Sequence, residues 1–363
     1  MKITLTRNAV RQIKQLTPWS GTRLGLPHLE HLLLQANGVV TAAACSLAAA
    51  VEVALPADVE EEGSALLPPR FLEALSGEET VEITTSAKKL TLRAGNNTTT
   101  LKCDLDPAEF PFPDLPADPL VLGEVPAGAL REALVHVRGV PDAAGGHSIW
   151  SQVFWLIARP GALTIAAADG VQLAVRVLIP TAGPAREADL LVGLPWGRLT
   201  GFLAGMETVG LSCTERFLFV EGRPGGLKAS VALQEGRLPD YQAIVPSKEG
   251  TVEISLPAGE LRRALEVVGS FSILGELVAQ DGGLTLTTNG DEGAGRAECA
   301  ATTSGHVSVC LNVPRLRQVL TGVADAATIR MYVARPDRPV LFEVTEGGDE
   351  ACSGYDVLMP MVK

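Results

Sequence analysis

An α+β fold of three similar domains, each built from antiparallel sheet and two helices, is expected from three features of this sequence. Pro126-Ala-Gly-Ala-Leu-Arg-Glu-Ala-Leu134 and Pro257-Ala-Gly-Glu-Leu-Arg-Arg-Ala-Leu265 are nearly the same peptide, 131 residues apart; a looser copy, Thr6-Arg-Asn-Ala-Val-Arg-Gln-Ile13, stands 120 residues before the first. Each is followed by a second helix opening: Leu67-Pro-Pro-Arg-Phe-Leu-Glu-Ala-Leu75, Leu194-Pro-Trp-Gly-Arg-Leu-Thr-Gly-Phe-Leu203 and Leu311-Asn-Val-Pro-Arg-Leu-Arg-Gln-Val-Leu320. Between these openings the hydrophobic period drops to two. A repeat this long far exceeds a solenoid unit of roughly 20–50 residues. It is the size of a small domain.

The second helix of each unit opens on or near proline, tolerated in a first turn because the N–H it lacks has no intrahelical partner there. In the first helices, Leu130, Ala133, Leu134 and Val137 fall at i, i+3, i+4 and i+7, one face of an amphipathic helix, and Leu261, Ala264, Leu265 and Val268 repeat that face. Alternating or β-branched runs come next: Val81-Glu-Ile-Thr-Thr, Lys89-Leu-Thr-Leu-Arg93, Leu163-Thr-Ile-Ala-Ala, Phe217-Leu-Phe-Val220, Leu284-Thr-Leu-Thr-Thr and Val340-Leu-Phe-Glu-Val344. Gly95-Asn-Asn, Arg159-Pro-Gly and Asp281-Gly-Gly supply turns between them. Helix, strands, helix, strands with hairpins dominating is an α+β pattern. Proline-rich joints at 104–118 and 236–246 stiffen the connections. They divide the chain into 1–118, 119–247 and 248–363.

At 46% hydrophobic the chain can bury real cores, yet no run approaches the roughly 20 apolar residues of a membrane span. Its start lacks the apolar stretch of a signal peptide, so a cytoplasmic protein is expected. Six cysteines, at 45, 103, 213, 299, 310 and 352, form no C-x-x-C pair and read as buried, reduced thiols.

Charge is distributed unevenly. The net charge is −12, which argues against a protein that simply coats DNA. The predicted helices nevertheless carry +3 at 6–16, +1 at 126–138, +1 at 195–205 and +2 at 313–322, with 68–75 and 257–268 neutral. That is +7 on the helices and −19 elsewhere. Arg7, Arg11 and Lys14 share one face, away from Val10 and Ile13. Solvated helix faces would account for any one of these patterns. Their recurrence in an acidic chain points to a basic surface that attracts phosphates.

Signals of catalysis are weak, and no catalytic residue, metal or cofactor is expected. His28 and His31 supply only two potential ligands, with no further ligand at a telling spacing. Gly222-Arg-Pro-Gly-Gly-Leu-Lys-Ala-Ser lacks the adjacent Gly-Lys-[ST] of a phosphate loop. Nucleophile-elbow and dinucleotide fingerprints are missing, and aromatics, at 4%, offer no obvious stacking platform for single-stranded bases.

Three stretches, in order, carry a resemblance. Ala167-Ala-Asp-Gly-Val-Gln-Leu-Ala-Val175, Gly236-Arg-Leu-Pro-Asp-Tyr-Gln-Ala-Ile-Val-Pro246 and Val357-Leu-Met-Pro-Met361, over a threefold repeat, resemble the bacterial DNA sliding clamps, the beta subunits of DNA polymerase III. Asp106-Pro-Ala-Glu-Phe-Pro is similar to the end of the family's first domain.

The resemblance implies a head-to-tail homodimer, closed into a six-domain ring around double-stranded DNA, that tethers polymerases without doing chemistry. Members carry the polymerase holoenzyme's nucleotidyltransferase label only as non-catalytic subunits. DNA polymerases and the clamp loader would insert short peptides into a cleft between the second and third domains. Carried over by position, that cleft comprises Gly170, Val171, Gln172, Leu173, Pro239, Ala243, Ile244, Pro339, Val357, Met359, Pro360 and Met361. Methionine suits such a role because it re-packs around varied apolar partners; core packing is the alternative for Met359 and Met361. DNA-facing residues would be Arg7, Arg11, Lys14, Arg23, Arg70, Arg131, Arg138, Trp150, Arg198, Arg262, Arg315 and Arg317. For Trp150 a half-buried packing role is the alternative. Val171 and Gln172 replace the family's usual His or Tyr and Arg, Ala243 a common Arg, Ala168 a Thr or Ser, and Val362-Lys363 an Arg-containing tail. Ala44-Cys-Ser-Leu stands where a T-D-L-E-like segment is typical. A plasmid- or phage-type accessory clamp remains an alternative, as does a three-domain β-rich enzyme or scaffold that does not encircle DNA.

Overall fold

The computed structural model describes residues 1–363 except 22–24, 73–79, 87, 114–115, 142–148, 184–185, 281, 346–351 and 362–363. One order of elements recurs along it. The first run contains β1 (Lys2–Thr6), α1 (Arg7–Leu16), β2 (Leu32–Asn37), β3 (Val39–Cys45), β4 (Ala49–Leu55), β5 (Ala57–Glu61), β6 (Gly63–Leu67), a 3-10 turn (Pro69–Phe71), β7 (Thr80–Ser86), β8 (Lys89–Ala94) and β9 (Asn97–Lys102). The second contains β10 (Leu120–Pro126), α2 (Ala127–Val137), β11 (Val153–Arg159), β12 (Ala162–Ala168), β13 (Gln172–Leu178), β14 (Ala188–Gly193), a 3-10 helix (Leu194–Gly201), β15 (Thr208–Cys213), β16 (Phe217–Arg223) and β17 (Leu227–Gln234). The third contains β18 (Val252–Pro257), α3 (Ala258–Val268), β19 (Leu274–Gln280), β20 (Gly283–Gly290), β21 (Gly293–Ala300), β22 (Thr302–Thr303), β23 (Val307–Asn312), α4 (Val313–Val319), β24 (Thr328–Val333), β25 (Val340–Thr345) and β26 (Cys352–Leu358).

The α-helices follow from local chemistry. Thr6 caps α1, its hydroxyl accepting from the Ala9 N–H at 3.2 Å, and Ala9, Val10, Ile13 and Leu16 are buried. On α2, Ala129, Leu130, Ala133, Leu134 and Val137 are buried; on α3, Leu261, Ala264, Leu265 and Val268 are. Asn312 caps α4 by accepting from the Arg315 N–H at 3.0 Å. The second helix of the first two runs differs from the sequence expectation. At Pro69–Phe71 it is a single 3-10 turn, and 73–79 lie outside the described residues; at Leu194–Gly201 it is 3-10 throughout. Gly197 and Gly201 disfavour α-helix there. A Cβ at Gly197 would stand 2.9 Å from the Phe154 ring, so close packing keeps that position small.

The chain packs into two compact units, Met1–Gly128 with Gly201–Leu233, and Ala129–Thr200 with Gln234–Lys363. Among the described residues, the first unit holds a five-stranded antiparallel sheet ordered β5-β1-β7-β8-β9. It also holds eight antiparallel strands ordered β10-β15-β16-β17-β4-β3-β2-β6. The second unit holds β14-β11-β12-β13-β26-β25-β24-β18-β22 and a four-stranded sheet β21-β20-β19-β23. Each long sheet thus joins four strands of one run to strands of the next. The last strand of the later run (β17, β26) pairs with the third strand after the first helix of the earlier run (β4, β13). The corresponding edges β9 and β21 have no outer strand partner among the described residues.

All six cysteines are free thiols, and burial pushes those of Cys45 and Cys299 up to about 11. Among the described residues no helix is long and apolar enough to cross a membrane.

Candidate functional site

The seam between β13 and β26 organises the second unit. Its register pairs Gln172 with Leu358, Leu173 with Val357 and Ala174 with Asp356. Strand alternation sends Leu173 and Val175 to one face, where they join Val357, Leu341, Tyr332, Trp155 and Leu191 in an apolar cluster. Leu238, Tyr241 and Val245 pack on this cluster from the connecting segment, and the Tyr241 and Trp155 rings lie 5.8 Å apart. That segment is shaped by a 3-10 turn, Tyr241–Ile244, with the Tyr241 N–H donating to Pro239 O at 2.8 Å.

The structure brings several of the proposed cleft residues onto this seam. Leu173 and Val357 are buried cross-strand partners. Val171 and Met359 are exposed and joined by the Met359 N–H donating to Val171 O at 2.8 Å; Met361 N–H donates to Cys310 O, also at 2.8 Å. Gly170 sits at φ +91°, a left-handed conformation that favours glycine, in the exposed turn before Val171. Pro239 is half-buried beside Leu238; Ala243 and Ile244 stand exposed on the 3-10 turn. Pro339 is half-buried one residue before β25, and Pro360 and Met361 are half-buried. Gln172 behaves differently. The pleat turns it to the face opposite Leu173, where it is 2% exposed and neither side-chain polar atom has a hydrogen-bond partner among the described residues.

On that opposite face lies a constellation of buried charge that sequence reading missed. The Asp356 carboxylate is fully buried; His136 Nε2 lies 2.9 Å from its Oδ2, and Arg176 Nη2 donates to the same oxygen at 3.2 Å. His136 Nδ1 lies 2.9 Å from Thr321 O, which can only accept. Burial alone would raise the Asp356 pKa. The charges and hydrogen bonds of His136 and Arg176 outweigh it and hold the carboxyl below its ordinary value.

The basic residues divide by what they touch. Arg7 and Arg11 are exposed on α1, Lys14 is half-buried there, and Arg131 is exposed on α2. Arg70 is exposed, its guanidinium 5.0 Å from the Phe71 ring centroid. Arg138 donates to Thr200 Oγ1 at 3.1 Å, and Arg198 is exposed. Others serve internal partners. Arg262 donates to Leu320 O and Val323 O at 3.1 and 2.7 Å and pairs with Asp325. Arg317 donates to Leu265 O at 2.7 Å, and Arg315 forms an ion pair with Asp169. Trp150 is exposed, its Nε1–H donating to Arg237 O at 2.9 Å. Arg23 lies outside the described residues. His28 contacts Asp106 O and Glu109, and His31 contacts Pro27 O.

No family model matches the chain. The beta sliding clamp of Streptomyces coelicolor is 25% identical over an alignment covering all of this chain and 99% of that protein. Among solved structures, the DNA polymerase III beta subunit of Pseudomonas aeruginosa superposes with a TM-score of 0.82 at 20% identity, covering both chains completely. The sliding clamp of Bacillus subtilis gives 0.81 at 17% identity, over 100% of this chain and 99% of that one. The chain is a divergent relative of the bacterial DNA sliding clamps, and it carries their fold from end to end.

Proposed function

We propose that this chain is a DNA polymerase processivity factor: a non-catalytic clamp that closes head to tail with a second copy around duplex DNA. It would act in the cytoplasm on chromosomal, plasmid or phage DNA. Polymerases and the clamp loader would dock peptides at the β13–β26 seam, where Val171, Leu173, Val357 and Met359 meet. Three domains, 1–118, 119–247 and 248–363, would each contribute one third of a protomer's arc.

The observation that carries this reading is the pair of edges, β9 and β21, that have no outer strand partner among the described residues. Twice within the chain, the last strand of one run pairs with the third strand after the helix of the run before it. The same rule, applied once more, pairs β9 of one copy with β21 of another. A head-to-tail contact of this kind makes a ring when its rotation closes, and the chain then leaves no seam strand unpaired. Arg7, Arg11 and Arg131, exposed on α1 and α2, and the half-buried Lys14 on α1 offer non-specific phosphate contacts in an otherwise acidic molecule.

Sedimentation and electron-microscope projection test the assembly. The wild type is expected to be a dimer with a central opening. A proline at a position of either edge strand whose N–H faces away from its own hairpin, Thr100→Pro or Arg296→Pro, removes a donor to the proposed seam and should shift the protein to monomer. A wild type that stays monomeric at micromolar concentration contradicts the reading.

A further inference from the structure

We infer that Arg315 is a positioning residue of the partner cleft: its guanidinium neutralises the buried Asp169 carboxylate and so holds the Gly170–Val171 wall in place. The inference rests on the reading of the β13–β26 seam as a peptide site, and it gives Arg315 a task other than facing DNA.

Asp169 performs two jobs with one carboxylate. Its Oδ1 accepts from the Val171 and Gln172 N–H groups at 2.9 and 2.8 Å, while its own N–H donates to Gln172 O at 3.1 Å. That is an Asx-type turn, and it sets the conformation of 169–172. Its other oxygen, Oδ2, forms an ion pair with Arg315 Nη2 and, among the described residues, accepts no hydrogen bond, so that charge contact is what compensates it. The Asp169 side chain is only 2% exposed, so its charge depends on that partner; Arg315, at 32%, is half withdrawn from solvent to reach it.

The ion pair closes a circuit. From Asp169 the chain runs to Val171, whose carbonyl accepts from Met359 N–H. Met361, two residues on, donates to Cys310 O. Cys310 precedes Asn312, whose side chain caps α4 by accepting from the Arg315 N–H. Arg315 then returns to Asp169. Both exposed cleft walls, Val171 and Met359, ride on this ring of bonds, and Asp169–Arg315 is its charged link. Without Arg315 the buried carboxylate is left without its counter-charge, and the turn it holds shifts with it.

The test measures binding of a labelled C-terminal peptide of the host's replicative polymerase, together with amide hydrogen exchange at Met359. Arg315→Gln should weaken the peptide about tenfold and speed Met359 exchange several-fold, and Arg315→Lys should restore most of both. Asp169→Asn should weaken binding similarly, and the double variant no more than either single one. The slope of DNA affinity against salt should be unchanged in Arg315→Gln; a phosphate contact would lower it by about 0.9. Wild-type peptide affinity and exchange in Arg315→Gln overturn the inference alone, as does a lowered salt slope with peptide binding intact. A wild-type protein that binds no such peptide overturns the cleft reading and this inference with it.

Discussion

The two seams inside the chain have one topology and opposite chemistry. At β17–β4 the register joins four residue pairs, from Lys228 opposite Glu52 to Val231 opposite Ala49. The charge there is wet: Lys228 Nζ lies 3.6 Å from Glu52, and the Lys228 side chain is 50% exposed. At β13–β26 the register joins seven pairs, and the charge is sealed inside, where Asp356 holds Arg176 and His136. A repeat therefore sets which strands meet but not how firmly they hold. The sealed seam is also the one proposed to carry the cleft.

The sharpest way to break the contrast is at Asp356. Removing a buried charge strands its partners, at a cost of about 3–5 kcal/mol. Asp356→Ala should lower the stability of the second unit by that order in urea unfolding followed by tryptophan fluorescence. The same carboxylate sets an acid limit. Because its folded pKa lies below the ordinary 3.8, its contribution is full above that value and is lost as pH falls through the folded one. Wild type should lose stability steeply below about pH 4, and Asp356→Asn, already weakened at neutral pH, should lose less over the same range.

The wet seam should respond far less. Lys228→Ala removes an exposed ion pair of the kind worth roughly 0.2–1 kcal/mol, and added salt should erase even that difference. A loss at Lys228 comparable to the loss at Asp356 would dissolve the distinction between the seams.

What could be read in advance follows the range of the forces involved. Short-range periodicity located α1–α3 because Val10, Ile13, Leu130, Leu134, Leu261 and Leu265 recur at helical spacing and are buried. The near-identical peptides at 126 and 257 announced the repeat before any strand was paired. The seams were not legible, since Ala49 and Val231 meet only through long-range pairing. Nothing local in the sequence marks Arg176 and Asp356 as partners: they lie 180 residues apart, and both are buried, where Asp356 accepts from Arg176 and lies against His136. Gln172 was placed in the cleft by its position in the Ala-Asp-Gly stretch, whereas the pleat turns it away from Leu173. Arg262, Arg315 and Arg317 looked alike on their helices, and only tertiary structure reveals that each has an internal acceptor or counter-charge.

A third seam, β9 against β21 of a second copy, would be the one that opens. β9 is polar, with Thr98, Thr99, Thr100 and Lys102, and β21 carries Arg296 and Glu298 among small Gly and Ala residues. An interface of that character can be released without disturbing the sealed junction. The most direct measurement is retention of the loaded protein on closed circular DNA compared with the same DNA linearised, at moderate salt. Encirclement requires that the protein stay on the circle after salt has abolished direct phosphate contacts and slide off when an end is cut. Equal retention on circular and linear DNA would contradict the ring.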